Sequence, residues 1–337
     1  MSHRIKIPET GQSFEAEDGE SLLAAALRGN IALAHDCQLG GCGTCRIKLI
    51  EGSVAYKETP FALTPEEERE GFALACQAMP TSDLSIAAAR HGPPCSEPER
   101  FTAIVKNLQL SSATVFQMTL EIPEVESVVW HPGQYANILM DDGCTRSFSM
   151  ASIPQQNRFD FHVRRIAGGR FTDRRVAQLR PGDTVEVELP LGSFRLHLED
   201  YRPLLMVATG TGLAPLKAML ESLMDDPDCP PVSLYWGMQT VADLYLHNEI
   251  LTWSERLCDF RYVPVLSRAD ASWQGRRGYV QDAVTGDFNN LSEHSIYLCG
   301  SPRMIFDAKQ AFLARAASAE NLYTEGFTFQ PSLSVPA

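Results

Sequence analysis

This chain is predicted to fold as three consecutive units: a small α+β unit, an antiparallel β-barrel, and an α/β unit on a parallel sheet. Three observations carry the prediction. Short strand and helix signals mix over residues 1–91. Strand-like runs parted by turn dipeptides fill residues 99–200. Over residues 201–329 apolar strands alternate with helical segments, as in a parallel sheet covered by helices. A length of 337 residues is enough for two or three domains.

In the first unit, residues 5–9 and 13–17 read as a hairpin about Thr10-Gly11. Residues 21–28 read as a helix stopped by Gly29. Residues 46–50 alternate as a strand does. Thr64-Pro65-Glu66-Glu67 offers an N-cap, a first-turn proline and a capping-box glutamate for a short helix ending near Gly71. Residues 92–98 are proline-rich and read as a stiff, extended linker. Strands of the second unit are expected at 102–105, 115–122, 135–139, 146–150, 160–165 and 184–188, with turns at Pro132-Gly133, Asp142-Gly143 and Pro181-Gly182. In the third unit strands are expected at 204–208, 232–236, 261–266 and 295–298, and helices at 214–224, 246–257, 280–284 and 303–317. Residues 330–337 read as a tail.

Composition narrows the function. A net charge of −13 argues against nucleic acid as a partner. The most apolar stretch, 204–224, contains Thr209-Gly210-Thr211-Gly212 and Lys217, so it reads as strand, loop and helix, with no membrane span. The first residues lack the apolar core of a signal peptide, and the nine cysteines show no disulfide-scaffold spacing. The expected compartment is the cytoplasm.

Four of those cysteines carry the strongest signal. Cys37, Cys42 and Cys45 read C-x4-C-x2-C, and Cys76 follows after thirty residues. This is the plant-type ligand spacing of a 2Fe–2S cluster. Soft thiolates suit iron, and Gly40, Gly41 and Gly43 allow the tight turns that bring backbone amides near the sulfides. Four buried structural thiols or a zinc site are the alternatives. Zinc commonly uses two short knuckles, and only one short pair exists here. The unit resembles a β-grasp 2Fe–2S ferredoxin over its whole length.

Arg146-Ser147-Phe148-Ser149 follows a turn at a strand position. It resembles the R-x-[Y/F]-[S/T] flavin motif of the ferredoxin–NADP reductase superfamily. The resemblance implies that Arg146 holds a flavin phosphate through its planar donor fork, that Phe148 packs on the ring system, and that Ser149 places a hydroxyl near the flavin N5. His162-Val163-Arg164-Arg165 resembles the family's next cofactor segment. Gly168-Gly169-Arg170-Phe171-Thr172 resembles its phosphate-cradling turn at the start of a helix. Surface residues and an ordinary turn are the bland readings, and three matches in order weigh against them.

Thr209-Gly210-Thr211-Gly212-Leu213-Ala214-Pro215 follows an apolar strand and leads into a helix, the setting of a pyrophosphate loop. Pro215 stands where ordinary dehydrogenases place a third glycine; the G-T-G-x-A-P form resembles the reductase superfamily. Cys299-Gly300-Ser301-Pro302-Arg303-Met304 resembles that family's C-G-x-P-x-M motif, which implies that Cys299, Gly300 and Pro302 lie beside the nicotinamide. An inert buried thiol is the alternative. Glu325-Gly326-Phe327 resembles the family's C-terminal E-x-F, which implies that Glu325 and Phe327 stand near the reacting rings. Ser267-Arg268 and Arg276-Arg277 are candidates for a 2′-phosphate site, yet the resemblance favours NADH over NADPH.

Taken in order, the units resemble the reductase components of bacterial multicomponent aromatic-ring oxygenases, of the benzoate, anthranilate and terephthalate dioxygenase type. The resemblance implies FAD, a 2Fe–2S cluster and NADH as cofactors. It implies hydride transfer from NADH to FAD and single-electron transfer through the cluster to a terminal oxygenase, of Rieske type, docking near the cluster loop. Leu39 is the expected contact, and the acidic run Glu66, Glu67, Glu68 and Glu70 is a candidate landing site for a basic partner, or else a solvated helix start. Two alternatives stay open: the same electron chain serving a P450, a diiron monooxygenase or a deoxysugar dehydrase, and a non-enzymatic redox sensor.

Overall fold

Ser21 and Gly29 bracket the first helix, Leu22–Arg28, as the sequence predicts: Ser21 Oγ accepts from the Ala24 amide, and the Gly29 amide closes on Ala25 and Leu27 carbonyls. The structure, a computed structural model, describes residues 2–35, 38–41, 43–88, 98–139 and 145–327. The tail expected at 330–337 and all of the expected linker but Pro98 lie outside the described residues. The helix crosses a sheet ordered Gln12–Ala16, His3–Ile7, Leu84–Ala88, Arg46–Glu51, Phe72–Leu74. The hairpin strands pair antiparallel, and His3–Ile7 runs parallel to Leu84–Ala88, giving the mixed sheet of a β-grasp. The predicted capping box forms: Thr64 and Glu67 exchange side-chain and backbone bonds at the start of helix Pro65–Arg69.

The second unit is a six-stranded antiparallel sheet ordered Thr145–Ser149, Tyr135–Leu139, Thr184–Leu191, Glu99–Ser112, Val115–Glu121, Arg158–Arg164. Its two edge strands meet through a Met150–Phe161 bridge and a 2.7 Å bond from the Ala151 amide to the Asp160 carbonyl, which closes the barrel. Trp130, Phe159, Phe161 and Met150 fill its core. Strand Glu99–Ser112 is much longer than the predicted 102–105. Its second half is polar and carries two register shifts against Val115–Glu121, so no alternation marks it.

The third unit is a six-stranded parallel sheet ordered Arg276–Arg277, Phe260–Leu266, Val232–Met238, Leu204–Thr209, Ser295–Gly300, Leu322–Gly326. Two apolar clusters cover its faces. Chain order reverses beside Leu204–Thr209, so a crevice opens at the carboxyl ends of that strand and of Ser295–Gly300. The sequence reading missed Leu322–Gly326, whose two apolar residues precede polar ones.

Candidate functional site

That crevice is the centre of a cleft of about 1040 Å³. It stands at the top of the ~300–1,000 Å³ range of small-molecule sites. Arg146, Ser147, Phe148 and Ser149 all line it from the barrel's edge strand. Arg146 is anchored by its own neighbour, with Nη1 donating to the Thr145 carbonyl at 2.7 Å. Ser147 donates to Asn137 Oδ1, and Ser149 lies buried at the cleft wall. Phe148 packs on Phe171 and Phe161, with ring centroids 5.4 and 6.4 Å away. These contacts hold the aromatic face in one orientation.

His162 reaches the cleft from strand Arg158–Arg164 and meets Tyr245 of the third unit, with 3.0 Å between Nδ1 and the phenol oxygen. Burial and the positive Lys217 hold its imidazole neutral, pushing the pKa down to about 3. Arg164 lines the cleft, whereas Val163 points into the barrel core. Gly168, Gly169, Phe171 and Thr172 line it too. The Arg170 side chain lies outside what the structure describes. The helix predicted here is only one wide turn, Arg170–Arg175, followed by a tight turn, Val176–Gln178. The Gly168 amide donates to Asp173 Oδ2 and the Gly169 amide to the Ile166 carbonyl, so both already have partners inside the loop.

From the third unit come Thr209, Gly210 and Thr211, ahead of helix Leu213–Glu221. Gly212 is buried beneath them. A Cβ there would stand 2.3 Å from the Cys299 carbonyl oxygen, so its glycine serves the close crossing of two loops. Cys299 is fully buried in the core below the cleft and does not line it; burial and neighbouring Glu325 push its thiol well above the usual range. Its strand partner Glu325 does line the cleft, as does Phe327, whose amide donates to the Gly300 carbonyl at 2.9 Å. Pro302 starts helix Pro302–Leu313, and its N-cap Ser301, Arg303 and Met304 of the first turn and Asp307 of the second reach the cleft. Asp307 escaped the sequence reading, although it stands one helical turn after Arg303 of the quoted motif.

None of the candidate phosphate-binding arginines, Arg268, Arg276 and Arg277, lines the cleft. Arg276 pairs with Asp287, and Arg277 donates to the Ala269, Asp270 and Trp273 carbonyls. Ser267 and Asp243 line the cleft instead.

Of the four cysteines expected to hold a cluster, Cys37 and Cys42 lie outside the described residues; Cys45 and Cys76 are buried. Antiparallel pairing of Arg46 with Leu74, extended by the Ala75 amide on the Cys45 carbonyl at 2.9 Å, brings these two to one end of the sheet. The loop ahead of Cys45 is tied down. The Ala62 amide donates to the Gly40 carbonyl, and Gln77 Nε2 to the Gln38 carbonyl. Gly40 and Gly43 both have positive φ, a fit for a loop wrapping a cluster. Leu39, 64% exposed, lines the common cleft.

One expectation is overturned. Glu67 is no part of an acidic surface: it is 0% exposed and paired with Arg46 and Lys309.

Comparison with known proteins matches the chain to three families in order: 2Fe-2S iron-sulfur cluster binding domain over residues 5–81, oxidoreductase FAD-binding domain over 102–196, and oxidoreductase NAD-binding domain over 206–310. The chain is 34% identical to reductase component 1 of terephthalate 1,2-dioxygenase from Comamonas sp, over 98% of this chain and 99% of that one. It is 31% identical to the CDP-6-deoxy-L-threo-D-glycero-4-hexulose-3-dehydrase reductase of Yersinia pestis, over 97% and 99%. Among solved structures, the Amycolatopsis cytochrome P450 reductase GcoB superposes with a TM-score of 0.71 at 31% identity, over 96% of this chain and 98% of that one.

Proposed function

The chain belongs to the one-chain reductases that join a 2Fe–2S, an FAD-binding and an NAD-binding domain, and on that premise we propose that it passes electrons from NADH to the terminal oxygenase of an aromatic-ring oxygenase system. One observation supports this most: a single cleft is lined by Leu39 from the first unit, residues 146–149 and His162 from the second, and residues 209–211, Glu325 and Phe327 from the third. When bound, the nicotinamide brings a hydride, the flavin releases its electrons singly, and the cluster carries one at a time.

The chain supplies position and electrostatics. Arg146 offers phosphate a fork of donors. Phe148, braced by Phe171, gives a flat ring a fixed wall. Ser149 holds a hydroxyl at the cleft wall, and neutral His162 adds hydrogen bonding there with no further positive charge. Cys299 acts from below, as the packing under Gly212, while Glu325 and Phe327 are the groups of the neighbouring strand end that would meet the rings. NADH is favoured over NADPH because the Asp243 carboxylate lines the cleft while Arg268, Arg276 and Arg277 do not.

The partner is proposed to be a Rieske-type oxygenase docking near the cluster loop, with exposed Glu68 and Glu70 meeting its basic residues. A P450 or a deoxysugar dehydrase as acceptor is the second reading, favoured by the two relatives of those kinds. Anaerobic mixing with NADH should bleach the flavin and then the cluster. Cys76→Ser should stop cytochrome c reduction and largely spare ferricyanide reduction. Equal loss of both activities would overturn the electron order. Product formation with a purified terephthalate-type oxygenase supports the first reading; coupling only to a P450 or dehydrase selects the second.

A further inference from the structure

The seam between the iron–sulfur unit and the nucleotide unit is closed by charges that almost no water reaches. Arg46 Nη1 donates to Glu67 Oε1 at 2.6 Å, and Lys309 Nζ lies 2.7 Å from Glu67 Oε2. The three side chains are 6%, 0% and 1% exposed. Arg46 and Glu67 belong to the iron–sulfur unit and Lys309 to the last helix of the nucleotide unit. Each cation also crosses to backbone. Arg46 Nη2 donates to the Ala319 and Leu322 carbonyls at 2.6 and 2.8 Å, and Lys309 to the Ala62 carbonyl at 2.7 Å.

We propose that Arg46, Glu67 and Lys309 are positioning residues: a charge clamp that fixes the iron–sulfur unit on the nucleotide unit and so sets the cluster loop against the common cleft. The covalent path makes the link short. Arg46 directly follows the ligand-motif residue Cys45, and it grips Leu322, the first residue of the strand that carries Glu325 to the cleft. The approach is close as well. A Cβ on Gly43 would stand 2.8 Å from Thr324 Oγ1 of the same strand, and Phe61 meets Phe306 with ring centroids 5.3 Å apart.

Magnitudes favour the buried triad over the visible surface pair. Lys48 and Glu320 bridge the same seam at 2.9 Å but are 43% and 54% exposed, so water and salt screen them. A desolvated pair costs far more to break by losing one partner, since the remaining charge stays buried. Burial drags the Lys309 ammonium down to about 8 against the pull of Glu67. Burial alone would raise the Glu67 carboxyl, yet Lys309 and Arg46 together keep it below the ordinary range.

The exposed Lys48–Glu320 pair provides a reporter that needs no electron transfer. A carbodiimide joins an amine to a carboxylate only in contact, so the cross-link, quantified by mass spectrometry on the holoenzyme, reads docking. Glu67→Gln is the decisive variant. Glutamine can keep the capping box with Thr64, but Arg46 and Lys309 then share the buried seam with no anion. The cross-link should fall, and cluster bleaching after NADH should slow by about tenfold or more, while flavin bleaching keeps its wild-type rate. Adding Lys309→Met removes one of the two cations and should restore part of both signals.

Wild-type cross-linking and wild-type cluster bleaching in Glu67→Gln overturn the clamp. A lost cross-link with unchanged cluster bleaching overturns its positioning role. If Glu67→Gln also slows the flavin, Lys309→Met alone decides, since it leaves the Arg46–Glu67 pair whole: a weakened cross-link with slowed cluster bleaching supports the clamp, and wild-type behaviour overturns it. Only the bleaching arm rests on the electron route proposed above. If the wild-type cluster does not bleach with NADH, that route fails while the cross-link still judges the clamp.

Discussion

Both seams of the nucleotide unit carry a buried lysine that donates to a backbone carbonyl of the neighbouring unit. Lys309 donates to Ala62 of the iron–sulfur unit, and Lys217 to Ala151 of the barrel at 3.1 Å. Their counter-ions differ. Lys309 is neutralised across the seam by Glu67, with Arg46 alongside, whereas Lys217 pairs with Glu221 of its own helix. One seam is therefore held by charge that exists only when two units meet. The other is held by a hydrogen bond, the neutral His162–Tyr245 contact and packing, beside a cleft that stays open. A seam that must admit and release a dinucleotide gains nothing from a rigid ionic lock, because each breaking of such a lock strands a charge.

Matched substitutions should break or sharpen that comparison. Glu67→Gln strips the anion from a dry seam and should cost about 3–5 kcal/mol of stability. Glu221→Gln removes an anion that is 23% exposed and leaves the buried Lys217 its bond to the Ala151 carbonyl, so its cost should be smaller, about 1–3 kcal/mol. Chemical unfolding of the two variants checks this directly; equal losses would mean that the location of the counter-ion is irrelevant. Next in size, Gly212→Ala tests the open seam. The added methyl would meet the Cys299 backbone, which cannot swing aside as a side chain can. Loops forced apart should cost up to about 3 kcal/mol and raise the KM for NADH, while the Lys48–Glu320 cross-link across the other seam stays intact.

The sequence made some of this legible and hid the rest, for physical reasons. Helix Leu22–Arg28 and the Thr64–Glu67 capping box were readable because caps are local, set by residues three or four positions apart. Strand Tyr135–Leu139 was readable because the turn dipeptides Pro132-Gly133 and Asp142-Gly143 bracket it in sequence. The flavin motif and the glycine loop pointed to two sites, and the fold brings residues of both, with Leu39 of the cysteine loop, to one cleft. Glu67 was not readable as a buried charge, because it sits in an acidic run whose other members are at least partly exposed. A usable signal existed in its partner. Ile305, Ala308, Lys309 and Phe312 fall on one helical face, as do Leu213, Leu216, Lys217 and Leu220, and all eight are buried. A lysine inside an apolar stripe is a mark of an ion pair or carbonyl contact between units. Strand Leu322–Gly326 was invisible because only its first two residues are apolar, leaving neither an apolar run nor an alternation to mark it.

Acid should separate the seams by a third route. His162 is held neutral with its pKa lowered from 6.5 to about 3, so protonation is easier in the unfolded chain. Stability from this group is complete above pH 6.5 and is lost as pH falls from there toward 3. The slope is up to about 1.4 kcal/mol per pH unit. Unfolding midpoints at pH 7 and pH 5 should fall further in the wild type than in His162→Gln, which carries no such proton. Parallel falls would show that His162 does not govern the acid response of the barrel seam.

The smallest effect belongs to the pair that looks most like a bridge. Lys48 and Glu320 join two units across a seam, yet each is about half exposed. Their attraction is offset by ordering two long side chains in water, so Lys48→Ala should cost no more than about 0.5 kcal/mol. The loss should shrink further at high salt, where the screening length shortens to a few ångströms. Glu67→Gln should keep most of its cost under the same salt, because ions do not enter a seam whose charged groups are at most 6% exposed. Unfolding both variants at low and high ionic strength therefore separates contact from clamp. If Lys48→Ala proved the costlier of the two, the ranking of buried over exposed charge at this seam would be reversed, and the surface pair would hold the units together.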